Sequence, residues 1–127
     1  MYRFQKHFTV AEARALLPEL RQLFHEAHQR RERLQKLDQK LGDRQEKSGG
    51  DLGGKDVAAL VSELTLLNAR IKVLQDLGIE LKDFERGLVD FPHLREGREV
   101  FLCWELEDDD IEFWHDIEAG YAGRERL

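Results

Sequence analysis

An α+β fold, a long antiparallel two-helix hairpin followed by a small C-terminal antiparallel β-sheet, is what three features of this chain require. Two stretches carry an apolar residue at nearly every three- or four-residue step, and a Gly-rich segment separates them. After Gly78 the period shortens to two and branched and aromatic residues dominate. The chain then reads as a single domain, residues 1–127, with the hairpin over 9–78 and a β-rich cap over 79–127.

The first stretch places Ala13, Leu16, Leu20, Leu23, Ala27, Arg30, Leu34, Leu37 and Leu41 on one seam. The second places Val57, Leu60, Leu64, Leu67, Ile71, Leu74 and Gly78. Only Arg30 and Gly78 among these are not apolar, and a spacing that alternates three and four keeps one helical face inward for several turns. Thr9-Val10-Ala11-Glu12 has the form of a capping box, in which the Thr9 hydroxyl accepts the Glu12 amide proton and the Glu12 carboxylate accepts that of Thr9. The first helix should therefore start near Val10. Pro18 lacks an amide proton and its ring crowds the Arg14 carbonyl, so a kink is expected there.

Gly42 is expected to end this helix, with a flexible Gly-rich loop over about residues 43–55. Asp56 should cap the second helix and Gly78 should end it in a left-handed conformation. A short connector favours antiparallel packing, with facing residue numbers summing to roughly 98. That register sets Leu34 against Leu64 and Ala27 against Ile71, and leaves the Arg30 guanidinium to reach solvent, Glu63 or a polar layer that fixes the register. One seam cannot cover both helices. Leu66, Val73 and Leu77 form a second stripe on the second helix, available to the C-terminal region or to another subunit.

Four strands are expected, at 79–84, 87–91, 99–106 and 111–118, with a polar turn at Glu107 to Asp110. If the apolar faces of the last two match, Leu106 opposes Ile111 and Leu102 opposes His115. Cys103 and His115 would then point to opposite sides, unless a bulge or an odd-length loop brought them together.

Composition narrows the classes. Charged residues make up 36% of the 127, and the mean hydropathy is -0.60, which suits a surface-rich shape. The single cysteine, Cys103, excludes an internal disulfide and fits a reducing compartment. The opening MYRFQKHFTV lacks the apolar run of a signal peptide, and no segment has the roughly 18 consecutive apolar residues of a membrane span, so a cytoplasmic protein is expected. Charge is uneven: residues 1–78 carry +3 and residues 79–127 carry -9 of the total -6. Phosphate repulsion by that acidic half argues against nucleic acid as a partner. The basic run Arg30, Arg31, Arg33, Lys36 and Lys40 reads as a solvated helix face.

Five segments resemble a known family. F-T-V-A-E-A at 8–13, GLVDFP at 87–92, LCW at 102–104, WH at 114–115 and G-Y-A-G-R at 120–124 are similar to the bacterial proteins grouped as domain of unknown function 2203. The likeness covers nearly the whole chain outside the Gly-rich loop, and the acidic turn here is longer than the Gly-containing one of that family. The resemblance implies no reaction, cofactor or catalytic residue.

Chemistry must then be read from residue types. His93, Cys103, His115 and Asp116, with Asp90, are the side chains that could hold a metal, yet no CxxC or HxxxH spacing supports them, and a buried thiol with a hydrogen-bonded imidazole is the simpler reading. Asp90, Trp104, His115 and Arg124 are candidates for a small-ligand pocket on the sheet. The acidic run at 105–112 lacks the Gly and spaced ligands of an EF-hand, and the Gly-rich segment lacks the Gly-Lys-Ser/Thr ending of a phosphate loop. No Ser or Cys nucleophile has an evident base, and no cofactor is expected. The leading expectation is a small cytoplasmic module that forms a homodimer, with Arg30, Leu66 and Val73 at the interface. The alternative is a small-ligand or metal-binding protein, or an enzyme, with its site on the C-terminal sheet.

Overall fold

The computed structural model describes residues 1–48 and 54–127, apart from the side chains of 44–48. Three helices, α1 (Val10–Ala15), α2 (Leu17–Ser48) and α3 (Gly54–Leu77), precede the strands β1 (Glu80–Asp83), β2 (Leu88–Arg95), β3 (Arg98–Trp104), β4 (Phe113–Asp116) and β5 (Glu125–Arg126). A 3-10 turn, Tyr121–Gly123, separates the last two strands. The strands form one antiparallel sheet in chain order, so the fold is the α+β architecture that the change of period demands. No helix among the described residues is long and apolar enough to cross a membrane.

The chain divides into two compact units, Met1–Phe24 with Val73–Leu127, and His25–Lys72. In the first, the capping box forms as expected: Thr9 Oγ1 accepts from the Glu12 amide and Glu12 Oε1 accepts from the Thr9 amide, both at 3.0 Å. The expected kink at Pro18 is a break two residues earlier. The Leu16 amide donates to Ala13 O and the Leu16 carbonyl opens α2 by accepting from Leu20, which puts Pro18 at the second position of α2, where no amide donor is needed. At the other end of the hairpin, Gly78 adopts φ +86° and the Ile79 and Gly78 amides cap Leu74 O and Gln75 O, the paired bonds of a Schellman motif.

Leu17, Leu20, Leu23 and Phe24 of α2 and Leu74 of α3 pack with Ile79 on one face of the sheet, which presents Val89, Phe91, Val100, Leu102, Trp104 and Trp114. Pro92 lies inside β2 without loss. It pairs with Phe101 on β3 and points its carbonyl the other way, to the Phe8 amide at 2.7 Å, so its missing N–H falls where β1 has already ended.

In the second unit, the seam expected on α2 holds throughout: Ala27 and Leu41 are buried and Arg30, Leu34 and Leu37 are half-buried. Gly42 does not end the helix, which continues to Ser48, and α3 begins at Gly54, so Asp56 sits in its first turn rather than at its cap. The loop expected at 43–55 thus shrinks, and its remainder, residues 49–53, lies outside the described residues. Ion pairs set the antiparallel register: Arg30 meets Glu63 at 3.3 Å, Arg70 meets Glu26 at 2.9 Å, and Lys40 meets Asp56 at 3.4 Å. Their numbers add to 93, 96 and 96, short of the expected 98. The shift turns α3 so that Glu63 enters the seam. Val57 and Leu64, expected inside, are 38% and 45% exposed.

Candidate functional site

Three central strands carry the polar residues of interest. Asp90 on β2 lies opposite Cys103 on β3, and Phe101, two residues before Cys103, lies opposite His115 on β4. Residues two apart on a strand share a face. Asp90, Cys103 and His115 therefore share the face turned away from the helices. This corrects the expectation that Cys103 and His115 point to opposite sides: Leu102 opposes Trp114, not His115. The cause is the connection from 105 to 112, which is no simple turn. The Leu106 amide leaves the ladder for Arg86 O, the Asp108 carboxylate accepts the Glu105 amide, and Asp108 O accepts the Trp104 indole N–H.

All three side chains are almost fully buried, Asp90 at 3%, His115 at 2% and Cys103 at 1% exposure. His115 Nε2 lies 3.1 Å from each Asp90 oxygen, and Nδ1 lies 2.8 Å from the Asp116 carbonyl. A carbonyl only accepts, so Nδ1 must carry a proton, and Nε2 and the carboxyl are held together by one more. Burial pushes the Asp90 carboxyl up, against the opposing pull of His115 and Lys82. Burial, and then the charge of Asp90, push the Cys103 thiol up to about 12, although the Arg124 guanidinium draws it the other way. A thiol held so high is not a nucleophile at neutral pH.

The carboxylate, thiol and imidazole donor atoms lie within 4.8 Å of one another. Oxygen, sulfur and nitrogen donors at that separation are what a borderline divalent metal takes. Of the five residues considered for a metal, Asp90, Cys103 and His115 converge. His93 Nδ1 lies 2.6 Å from Phe8 O, and the Asp116 carboxylate pairs with Arg98 at 3.0 Å. Of the expected ligand pocket, Asp90 and His115 meet and Arg124 reaches the neighbourhood of Cys103, stacked 3.9 Å over Tyr121 and 4.2 Å over Phe113. Trp104 stands on the opposite face, in the core. Phe4 and Lys82 approach the Phe101 ring, which in turn lies 5.5 Å from the His115 ring.

Two further constellations escaped sequence reasoning. Arg14 pairs with Asp110 at 3.1 Å and donates to Ile111 O, and Arg21 donates to Asp108 O and Asp109 O, so the acidic turn is tied to α1 and α2 while Glu107 and Asp109 remain exposed. Arg14 and Arg21, seven residues apart, are the complementary charge that a reading of the turn in isolation overlooks. Glu99 receives the Arg3 and Phe4 amides at 2.7 and 2.9 Å and lies 2.8 Å from His7 Nε2, tying down the N-terminal segment.

The second unit offers a surface instead of a cluster. Between Val57 and Ala69 the only charged residue is Glu63, which is turned to Arg30 and Arg33. Arg30 itself is engaged by Glu63 and Glu26 inside the hairpin. Val57, Val61, Leu64 and Leu66 are exposed by 38%, 56%, 45% and 42%.

No curated protein matches the chain, and neither does any solved structure. The segments GLVDFP, LCW, WH and G-Y-A-G-R supply Asp90, Cys103, His115 and Arg124 in turn. A family model, Uncharacterized conserved protein (DUF2203), matches residues 6–127, and the chain belongs to that family.

Proposed function

We propose that this protein is a self-associating interaction module whose hairpin pairs with that of a second copy through the outward surface of α3. The uncharged surface between Val57 and Ala69 carries this reading. Apart from Met1, Tyr2 and Leu127 at the chain ends, every exposed large hydrophobic among the described residues lies on α3: Val57, Val61, Leu64, Leu66, Val73 and Leu77. On a helical wheel the first three flank the buried seam on one side and the last three on the other. A helix apolar on several sides is one that is covered.

A second copy is the partner that fits. A chain of net charge -6 repels its own kind except where the meeting surface is neutral, and α3 supplies that surface. Two such hairpins related by a twofold axis present the same residues to each other and close the assembly. Each Å² of apolar area removed from water contributes about 25 cal/mol. The buried free thiol of Cys103 suits a reducing, cytoplasmic setting.

Light scattering at low micromolar concentration tests this. The wild type should show twice the 14.9 kDa chain mass, and Val61→Glu with Leu64→Glu should show 14.9 kDa with unchanged helical circular dichroism. A wild type that stays at the single-chain mass overturns the reading.

A further inference from the structure

We propose that Asp90, Cys103 and His115 form a binding site for one zinc-class divalent ion, a metal clasp across β2, β3 and β4. Such a site is independent of how the helices associate.

Position supports it first. Three donors of different kind come from three adjacent strands, buried to 3% exposure or less, with ligand atoms within 4.8 Å of one another. In a tetrahedral zinc site, bonds of about 2.0 to 2.3 Å set donors about 3.3 to 3.8 Å apart. Small side-chain rotations close that difference. Three protein ligands leave one position for water or another donor.

Orientation supports it next. The Asp116 carbonyl fixes the proton of His115 on Nδ1 and aims Nε2 at Asp90. A backbone carbonyl that holds the far nitrogen of an imidazole is the usual outer support of a metal-bound histidine. Without a proton or a cation between them, Nε2 and the carboxylate would present two acceptors to each other across 3.1 Å.

Polar atoms around the cluster are incompletely satisfied. Arg124 Nη1 is buried with no hydrogen-bond partner, its nearest carboxylate being Asp108 at 4.0 Å. A metal-bound Cys103 thiolate would give this guanidinium an anionic neighbour. Glu80, opposite Asp90 on β1, likewise has a buried Oε2 without a hydrogen bond, with Lys82 Nζ 3.6 Å away.

Charge decides the valence. A divalent cation would replace the thiol proton and the proton held between Asp90 and His115, so the net charge of the buried cluster stays as it was. A monovalent or trivalent ion would leave an uncompensated charge where burial makes it costly. The thiolate and imidazole select zinc and its relatives over magnesium or calcium.

The test uses the full chain, stripped with a chelator and titrated with Zn(II) and, as a spectroscopic probe, Co(II). The expected result is one equivalent bound, a thiolate-to-cobalt charge-transfer band, and an unfolding temperature that climbs with free zinc. Cys103→Ser should abolish the band and weaken zinc binding by more than about 100-fold, beyond the 10- to 100-fold loss typical of an outer-shell partner. Asp90→Asn should weaken binding while leaving the band in place. Should either variant fail to fold, the wild-type cobalt spectrum decides alone: a thiolate band at one equivalent supports the site, and bound cobalt without that band overturns it. Absence of binding at a hundredfold excess of zinc, or binding unchanged in Cys103→Ser, also overturns it. Because the readout is metal bound per chain, it is the same whether the protein is a monomer or a dimer.

Discussion

Glu99 shows how much one carboxylate can organise. It sits on β3, where two backbone amides and the His7 ring converge on it from residues whose own local structure is irregular. Burial raises its pKa, but the Arg3 and Phe4 amides and the His7 ring more than offset that and hold the carboxyl at about 2, against an ordinary 4.5. A pKa depressed in the folded state means stability that is present above pH 4.5 and is lost as the pH falls through 4.5 toward 2. Glu99→Gln removes the charge and one acceptor. It should melt at a lower temperature than the wild type at neutral pH, with the gap narrowing as the pH drops toward 2. Thermal unfolding of both proteins across that range checks it; a gap independent of pH would show that the ionised carboxylate contributes nothing special.

Arg30 and Glu63 play the corresponding part between elements. Both are only about one-fifth exposed on their side chains, and Glu26 and Arg33 extend the pair into a network that joins α2 to α3. A double-mutant cycle on Arg30→Ala and Glu63→Ala should give a coupling of about 1 kcal/mol, near the upper end for ion pairs that water still reaches. Denaturant titration of the four proteins measures it, and additive effects would demote the pair to a bystander. The seam of α2 was legible because polar residues fill its other faces. That of α3 was legible in part: Leu60, Leu67, Ile71 and Leu74 lie inside as expected, but Val57, Val61, Leu64 and Leu66 surround the helix and periodicity cannot choose among them; Glu63, the residue that reads as surface, sets the rotation. Four of the five strands were legible from short runs of branched and aromatic residues, such as Val100 to Trp104, bounded by turn residues; the two-residue β5 was not. Their mutual register was not, because counting faces through residues 105–112 assumes a turn, and Leu106 and Asp108 are drawn off to Arg86, Glu105 and Trp104. One such miscount hid the convergence of Cys103 and His115 by putting His115 on the face of Leu102 and Trp104.

At the scale of the whole molecule, core and surface are unequally shared between the two units. Nearly all the buried hydrophobics lie in Met1–Phe24 and Val73–Leu127; among the described residues of His25–Lys72, only Ala27, Leu41 and Leu67 are buried hydrophobics. Helices owe most of their stability to the face they bury, so the part of the hairpin between His25 and Lys72 should open at a lower free energy than the sheet. A second copy on α3 would change that, because a partner that binds only the closed form protects it by mass action. Hydrogen exchange on a dilution series separates the cases. Amides of Val57 to Ala69 should exchange slowly in concentrated protein and much faster after a dilution of roughly 100-fold, as dimers part. Amides of β2 and β3 should keep their protection at both concentrations, since their burial comes from Phe24, Leu74 and the rest of the same chain. Equal protection of α3 at both concentrations, together with a single-chain mass, would mean that the exposed leucines and valines are tolerated in water, and that the hairpin is held by its ion pairs and inner seam alone.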